Sequence, residues 1–313
     1  MSSPRWLFSE NPNDPSVSSL DHSNLIMKTT HRISRQITQR IGFAVLGSIA
    51  FLTALPIVVV VVYIIYKGAQ AISWEFLTQF PSNGMRSGGI FPAILGTVIL
   101  TFGAFFFATP LGIGAAIYLS EYAKETALTR LIRIAIVNLA GIPSVVYGLF
   151  GLGLFVLSLK LGTSILACSL TLAIMTLPVV ISTTEEALRA VPQSFRVVSI
   201  SLGATHWQTI RRIILPQALP GILTGIILGL ERAAGETAPI LFTGVAFYLA
   251  KLPTSPLDET MALPYHLYVI STQVPGMPES IQYGTALVLL VFVLGMNIIA
   301  TTIRSRARAR RQW

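Results

Sequence analysis

Long apolar runs without a charged side chain are the feature that most constrains this chain. The first, FAVLGSIAFLTALPIVVVVVYIIY, covers residues 43–66. Further apolar runs cover residues 87–120, 134–159, 161–184, 217–249 and 281–303. A transmembrane helix needs about 20 mostly apolar residues. The pattern therefore predicts an all-α, polytopic membrane protein with six transmembrane helices.

The composition supports a membrane protein over a large soluble protein with buried helices. Only 11% of the residues are charged and 53% are hydrophobic, whereas soluble domains carry roughly 25% charged residues. We expect residues 1–42, rich in Ser, Pro and Asn, to form a poorly ordered N-terminal tail. Residues 43–303 would form the membrane domain, and residues 304–313 a basic C-terminal tail.

Lys and Arg residues are distributed unevenly between the two sides that six spans define. With the N-terminus inside, residues 1–42, 119–133, 184–214 and 304–313 are cytoplasmic and carry 17 of the 22 basic residues. The outer segments carry only Lys67, Arg86, Lys160 and Lys251. Cytoplasmic loops are enriched in Lys and Arg. We therefore expect a multi-pass protein of the plasma (inner) membrane with both termini in the cytoplasm.

The sequence lacks the motifs of several kinds of functional site, among them disulfide frameworks, metal sites and nucleotide-binding loops. There is one cysteine, Cys168, and the four histidines are scattered without metal-ligand spacing. No Gly-Lys pair occurs, so no Walker A phosphate loop is present. A basic tail beside a membrane span favours lipid over nucleic acid. We expect no cofactor, no metal site and no catalytic residues.

The longest cytoplasmic loop, residues 185–216, has the pattern of two short helices joined at Gly203. Glycine adopts the positive φ that such a joint requires, and Pro216 is expected to end the second helix. The exposed apolar residues Leu202, Trp207 and Ile210 are then available for burial. Two interpretations fit: an amphipathic hairpin lying on lipid, or a loop that docks on a partner protein.

The same loop resembles the cytoplasmic loop of ABC-importer permeases, in which a Gly and an Ile-x-Leu-Pro group are separated by nine residues. Here those positions are Gly203 and Ile213–Pro216. The resemblance implies a type I ABC importer permease fold whose loop docks as a coupling helix on an ATPase subunit. The family's Glu-Ala-Ala triplet falls on Val197–Ser199, so its acidic residue is missing. The implied docking residues are Leu202, Gly203, Ala204, Thr205, Trp207, Ile213, Leu215 and Pro216.

Three ionisable residues interrupt the apolar stretch GLERAAGETAPILFTG, residues 229–244. Each costs about 2.5–3.5 kcal/mol at mid-membrane, so they must be paired or face water. Arg232 and Glu236 lie four residues apart and share one face of a helix. They form either a structural ion pair or part of a substrate path. An arginine favours an oxyanion substrate, because its guanidinium stays charged and matches oxyanion geometry.

The segment RAAGETAPILFTG resembles the signature of the A-type permease subunit of phosphate-specific ABC importers. The segments LPYHLYVISTQ, 263–273, and TPLGIGAAIYLSEYA, 109–123, also resemble that family. The resemblance spans roughly residues 43–305. It implies a translocation pathway that includes Arg232, Glu236 and Thr237, whereas Glu231, the third ionisable residue, is not part of the signature.

By the same resemblance, the partners are a homologous C-type permease, two copies of an ATPase subunit and an extracytoplasmic phosphate-binding protein. The chain would be a transport subunit without a nucleotide site of its own. Three alternatives remain open: a permease for another oxyanion such as sulfate or molybdate, a secondary transporter driven by an ion gradient, and a membrane subunit that also signals phosphate.

Overall fold

A computed structural model describes the backbone of residues 15–309 and the side chains of residues 39–306. The chain divides into two compact units, residues 1–63 and 64–313. The first unit holds most of helix α1, Pro15–Gly68.

Helix α1 begins 28 residues before the first predicted span, at Pro15. The poor order expected of residues 1–42 stays a prediction: the structure assigns helical backbone to residues 15–42, and residues 1–14 lie outside the described part. Proline is favoured in the first turn of a helix, and no Gly or Pro follows until Gly42. The polar composition that suggested disorder does not itself interrupt a helix.

The second unit begins with short elements and then a long apolar helix. They are α2 (Trp74–Thr78), an antiparallel hairpin of β1 (Pro81–Ser82) and β2 (Ser87–Gly88), and α3 (Phe91–Ile117), which continues as a π turn over Tyr118–Tyr122. The hairpin explains why the apolar run 87–120 is longer than one span, because Ser87 and Gly88 at the start of the run belong to β2 and not to the membrane helix.

The regular elements in the rest of the second unit are helical in the described residues, with short connections except for residues 242–262, which join α10 to α11. The elements are α4 (Ala127–Ala140), α5 (Ser144–Gly151) with a π turn over Leu152–Ser158, α6 (Ile165–Arg189), α7 (Gln193–Ser201), α8 (His206–Thr209) with a π turn over Ile210–Ile214, α9 (Leu215–Gly235), α10 (Ala238–Leu241), α11 (Leu263–Thr272) and α12 (Glu279–Ala309).

Five helices of the described chain are long and apolar enough to cross a membrane, and a bent pair supplies a sixth. The bent pair is α4 with α5 and its π turn, which meet at 104°. The bend lies in the stretch GIPSVVYGLFGLG, residues 141–153, whose Gly and Pro residues predict close helix packing or kinks. Pro143 disfavours the helical conformation of the preceding residue, and Gly141 ends α4. The six predicted spans are thus found, with the third broken.

Helix α6 is the centre of the second unit and α12 is at its edge. Within their apolar windows, 56% of α6 is buried but only 6% of α12. Small residues allow the close approach: Gly103 of α3 packs directly on Ser169, and Gly225 of α9 on Thr183, without room for a methyl group. Small residues at helix contacts are typical of membrane bundles, where close van der Waals packing drives association.

Candidate functional site

The stretch with the three ionisable residues is a broken helix, not the continuous span predicted for residues 217–249. Helix α9 ends at Gly235, Glu236 is extended with φ −77° and ψ 137°, and α10 begins at Ala238. Pro239 explains the break, because in a continuing helix its ring would meet the carbonyl of Gly235 four residues earlier. Membrane proteins tolerate such backbone where it lines a cavity or is buried in protein.

Arg232 and Glu236 lie together despite the break between them. Arg232 Nε is 3.5 Å from Glu236 Oε1, and the two side chains are 30% and 18% exposed. Within the described part of the chain, the other two guanidinium nitrogens of Arg232 have no hydrogen-bond partner. The pair is therefore loose, and most of the donor capacity of the arginine remains available.

The other two predicted residues of this stretch take different positions. Glu231 is half-buried, and in the described residues it forms no ion pair and no hydrogen bond. Thr237 precedes the first residue of α10, where its carbonyl accepts a hydrogen bond from the amide of Leu241 at 3.1 Å. The structure thus brings Arg232 and Glu236 together and leaves Glu231 outside the pair.

A narrow cleft beside Glu236 is walled by α3, which the sequence did not indicate. The cleft has room for about 10 Å³, close to one water molecule. Thr97 and Thr101 of α3 line it. The Thr97 hydroxyl donates to the carbonyl of Ala93 at 2.8 Å, and the Thr101 hydroxyl donates to that of Thr97 at 2.7 Å. The sequence did contain a sign of this wall: Thr97 and Thr101 are spaced i, i+4 in an apolar run, which places both hydroxyls on one face of the helix.

Helix α5 packs tightly against the residues that follow Glu236. A methyl group at Gly148 would lie 3.0 Å from the carbonyl oxygen of Ala238 and 3.0 Å from Cα of Pro239. Tyr147, 5% exposed, donates its hydroxyl to the carbonyl of Leu139 at 2.7 Å, across the bend between α4 and α5. Two helix breaks therefore meet beside the Arg232–Glu236 pair, each supporting the other.

The cytoplasmic loop has the predicted joint. Helix α7 ends before Gly203, which has φ +85°, and α8 begins after Thr205. Thr205 and Gln208 form a capping box, in which each side chain bonds the backbone amide of the other residue. The joint at Gly203 and the short first helix are confirmed.

Pro216 does not end the second helix of the loop. The segment His206–Gly235 runs as one long helix through the π turn at Ile210–Ile214, and Pro216 lies in the first turn of α9. The wider π turn changes the hydrogen-bond pattern ahead of the proline, so that the missing amide is tolerated. Leu215 and Pro216 are half-buried, as is Ile213.

The exposed face of the loop is apolar. Leu202 is 82% exposed and Trp207 53% exposed, whereas Ile210 is fully buried inside the chain, so its expected availability to a partner is wrong. Beside Leu202, a groove of about 430 Å³ is lined by Ser194, Phe195, Val198, Ser199, Leu202, Ala204 and Ile213. The loop thus offers a shaped apolar surface that this chain itself does not cover.

At the position of the Glu-Ala-Ala triplet, this chain forms an internal hydrogen bond. The Ser199 hydroxyl lies 2.8 Å from that of Thr209, and both residues are buried. This hydrogen bond fastens α7 to α8. Val197 and Val198 remain on the surface, each 57% exposed.

Comparison with known proteins gives a consistent picture. Residues 108–309 match the family described as "Binding-protein-dependent transport system inner membrane component". The chain is 33% identical to the probable ABC transporter permease protein YqgI of Bacillus subtilis, with 86% of this chain and 95% of that protein covered. It is 35% identical to the probable phosphate transport system permease protein PstA of Methanocaldococcus jannaschii, with 86% and 94% covered.

Solved structures agree on the fold. A chain of the MetNI methionine ABC transporter, in an inward-facing conformation, superposes with a TM-score of 0.57 at 18% identity, covering 69% of this chain and 94% of that one. A chain of a bacterial alginate ABC transporter superposes with a TM-score of 0.59 at 16% identity, covering 82% and 94%. The chain therefore belongs to the family of binding-protein-dependent transport system inner membrane components, as a multi-pass permease of an ABC transporter and not its ATPase.

Proposed function

We propose that this permease forms half of the translocation pathway of an ATP-driven phosphate importer, the other half being a homologous C-type permease. One observation carries the proposal: a half-exposed arginine with two unpartnered nitrogens lies beside a carboxylate where a membrane helix breaks. Broken membrane helices are where transporters form their substrate sites.

The arginine supports an anionic substrate. A guanidinium stays protonated even when it is desolvated, and its fork matches the oxygens of a phosphate or carboxylate. A charged group within a span is costly and is usually functional. Between passages of the anion, Glu236 offsets the charge of Arg232, and the 3.5 Å separation lets the anion compete for the guanidinium.

The groups beside the arginine favour phosphate over sulfate. An ionised Glu236 can only accept hydrogen bonds, and the hydroxyl protons of Thr97 and Thr101 are already donated to backbone carbonyls. An oxyanion held by Arg232 must therefore supply a proton to the oxygen that faces Glu236. Phosphate retains a proton at neutral pH and sulfate does not. The naming of the Methanocaldococcus relative as a phosphate permease supports the same substrate.

The cytoplasmic loop supports coupling to an ATPase subunit. Its two helices expose Leu202 and Trp207 beside an apolar groove, which is the surface that a docking partner would bury. The complex would hold two copies of the ATPase, and an extracytoplasmic phosphate-binding protein would deliver the anion. The distribution of basic residues supports cytoplasmic termini on the same side as this loop.

Transport by the complex in proteoliposomes tests the substrate and the energy source. We expect uptake of radiolabelled phosphate that requires ATP on the side of the ATPase, that arsenate competes with, and that sulfate leaves unchanged. Arsenate is the matched probe because it has the same protons as phosphate. Uptake of sulfate would indicate a permease for another oxyanion, and uptake driven by an ion gradient without ATP would indicate a secondary transporter.

Crosslinking tests the docking surface separately. A cysteine at Ala204 or Thr205 should crosslink to the ATPase subunit, and the native Cys168 should not react because it is fully buried. A cysteine at Lys251, which we place on the outer side, is the control. Crosslinks from Lys251 but from neither loop position would contradict both the docking surface and the orientation.

A further inference from the structure

The inner end of α3 is joined to both helices of the cytoplasmic loop by side chains of the π turn Tyr118–Tyr122. Arg196 of α7 donates from Nη2 to Glu121 Oε1 at 2.6 Å and from Nε to Oε2 at 3.2 Å. His206 of α8 lies with Nε2 3.1 Å from the carbonyl oxygen of Glu121. Because a carbonyl can only accept, that histidine nitrogen carries the proton. We call Glu121, Arg196 and His206 the inner clamp.

The ion pair of the inner clamp is shielded from water and its charged groups are well satisfied, whereas His206 is exposed. The Glu121 side chain is 3% exposed and that of Arg196 13% exposed. Arg196 also donates to the carbonyls of Val191 at 2.8 Å and Leu188 at 3.0 Å, so each of its three nitrogens is used. The ring of His206 meets Tyr122 edge-on at 5.0 Å. A buried ion pair with these additional hydrogen bonds holds a defined geometry.

The place of the clamp in the fold suggests what it does. The loop is covalently continuous with α6 and, through α8, with α9, but it reaches α3 only through side-chain contacts. Helix α3 carries Thr97 and Thr101, which wall the cleft at Glu236. A movement of the loop would tilt α6 and α9 directly. Helix α3 packs along both of these helices, and the clamp adds a polar attachment that ties its inner end to the loop itself.

We infer that the inner clamp transmits movement of the ATPase-coupled loop to α3, and so makes Glu121 and Arg196 positioning residues for transport. This inference rests on the proposed docking of the loop on an ATPase. Its consequence is specific: loss of the clamp lets the loop move with the ATPase while the wall of the cleft stays behind. ATP would then be hydrolysed with little phosphate moved.

The test compares phosphate transported per ATP hydrolysed in the reconstituted complex. Glu121→Gln and Arg196→Gln should retain bound ATPase subunit and ATPase activity within about twofold, while the transport ratio falls about tenfold or more. The charge exchange Glu121→Arg with Arg196→Glu should recover part of the ratio. An unchanged ratio in assembled single variants would overturn the inference.

Two control variants separate the clamp from ion pairing in general. Glu185→Gln removes another largely buried carboxylate, which pairs with Arg133 and Arg189 but does not bond the loop helices α7 and α8. Glu279→Gln removes an exposed partner of Lys67 in a distant ion pair. Both should leave the transport ratio unchanged. A fall in the ratio equal to that of Glu121→Gln would assign the effect to lost stability and refute a positioning role.

A measurement without phosphate distinguishes failure of the clamp from failure of the proposed substrate. In wild-type background, a cysteine at Thr101 should be labelled by a small thiol reagent to different extents with and without ATP and vanadate. Glu121→Gln should remove most of that difference. If the Glu121 and Arg196 variants do not accumulate, His206→Ala, which leaves their ion pair intact, should reduce it. Nucleotide-dependent labelling that survives in the available clamp variants would overturn the inference, even if the complex moves another anion.

Discussion

Two pairs of Arg and Glu in this permease have the same chemistry and opposite geometry. The pair Arg196–Glu121 is short, 13% and 3% exposed, and uses each nitrogen of the arginine. The pair Arg232–Glu236 has a single 3.5 Å contact, is 30% and 18% exposed, and leaves two nitrogens without a partner in the described residues. Buried polar groups are normally satisfied. The partly exposed Arg232 keeps donor capacity for water or a ligand, and this difference motivates the proposed pathway.

The comparison predicts that the two arginines fail in different ways when they are removed. Arg232→Gln should lower phosphate uptake at least about 100-fold, because Arg232 is the one basic residue within the six predicted spans and would compensate the charge of the anion. The amount of complex recovered from membranes should stay near that of wild type. Arg130→Gln, the same change at an exposed arginine of α4, is the control. Normal uptake by an inserted Arg232→Gln variant would remove the basis for the proposed pathway.

Double-mutant cycles on the stability of the complex in detergent should rank the two pairs directly. We expect a coupling energy of about 2–3 kcal/mol for Arg196 with Glu121, because their contact is short and shielded. For Arg232 with Glu236 we expect less than about 1 kcal/mol, as for partly exposed pairs. Equal coupling energies would show that the Arg232–Glu236 pair stabilises the complex as much as the short pair does. Arg232 would then be a structural residue.

The tight packing around the break after Glu236 provides a steric test. Gly148→Ala should destabilise the complex by about 1–3 kcal/mol, because the new methyl meets the backbone of Ala238 and Pro239. The expected readout is a lower melting temperature accompanied by reduced uptake. Gly153→Ala is the matched control in the following π turn, since a methyl there meets nothing within 4 Å. Equal effects of the two substitutions would count against the need for α5 to approach the backbone of Ala238 and Pro239 closely at Gly148.

The smallest effect is expected at the exposed ion pair between Arg133 and Glu125. A hydrogen bond from Arg133, and then its charge, hold the pKa of Glu125 below its ordinary value of 4.5. A depressed pKa stabilises the folded state above the unfolded-state value, and this contribution is lost as the pH falls through the folded-state value. Melting curves of wild type and Glu125→Gln should thus differ slightly at neutral pH and converge below pH 4.5. If the difference in melting temperature grows as the pH falls, the ion pair of Glu125 with Arg133 is not its cause.

Much of the architecture could be predicted because membrane insertion imposes a strong, local rule. Apolar length alone located six spans, and glycine conformation located the joint at Gly203. The spacing of Arg232 and Glu236 predicted that they meet. Hydropathy alone treated residues 134–159 as one span and extended the fifth span past Gly235, because it does not register where a helix bends or stops within the membrane.

By itself, the sequence determined the all-α membrane class and the number of spans. It also located the pair Arg232 and Glu236, whose charges are costly to place inside a bilayer. Each of these features depends on residues within about 20 positions of one another, because helix periodicity and the free energy of membrane insertion are set by local sequence. Only the tertiary structure decided that Ile210 is buried, that Thr97 and Thr101 wall the cleft, and that Glu121 meets Arg196. Those contacts join residues far apart in the chain, and they depend on how helices pack around α6, which no local pattern contains.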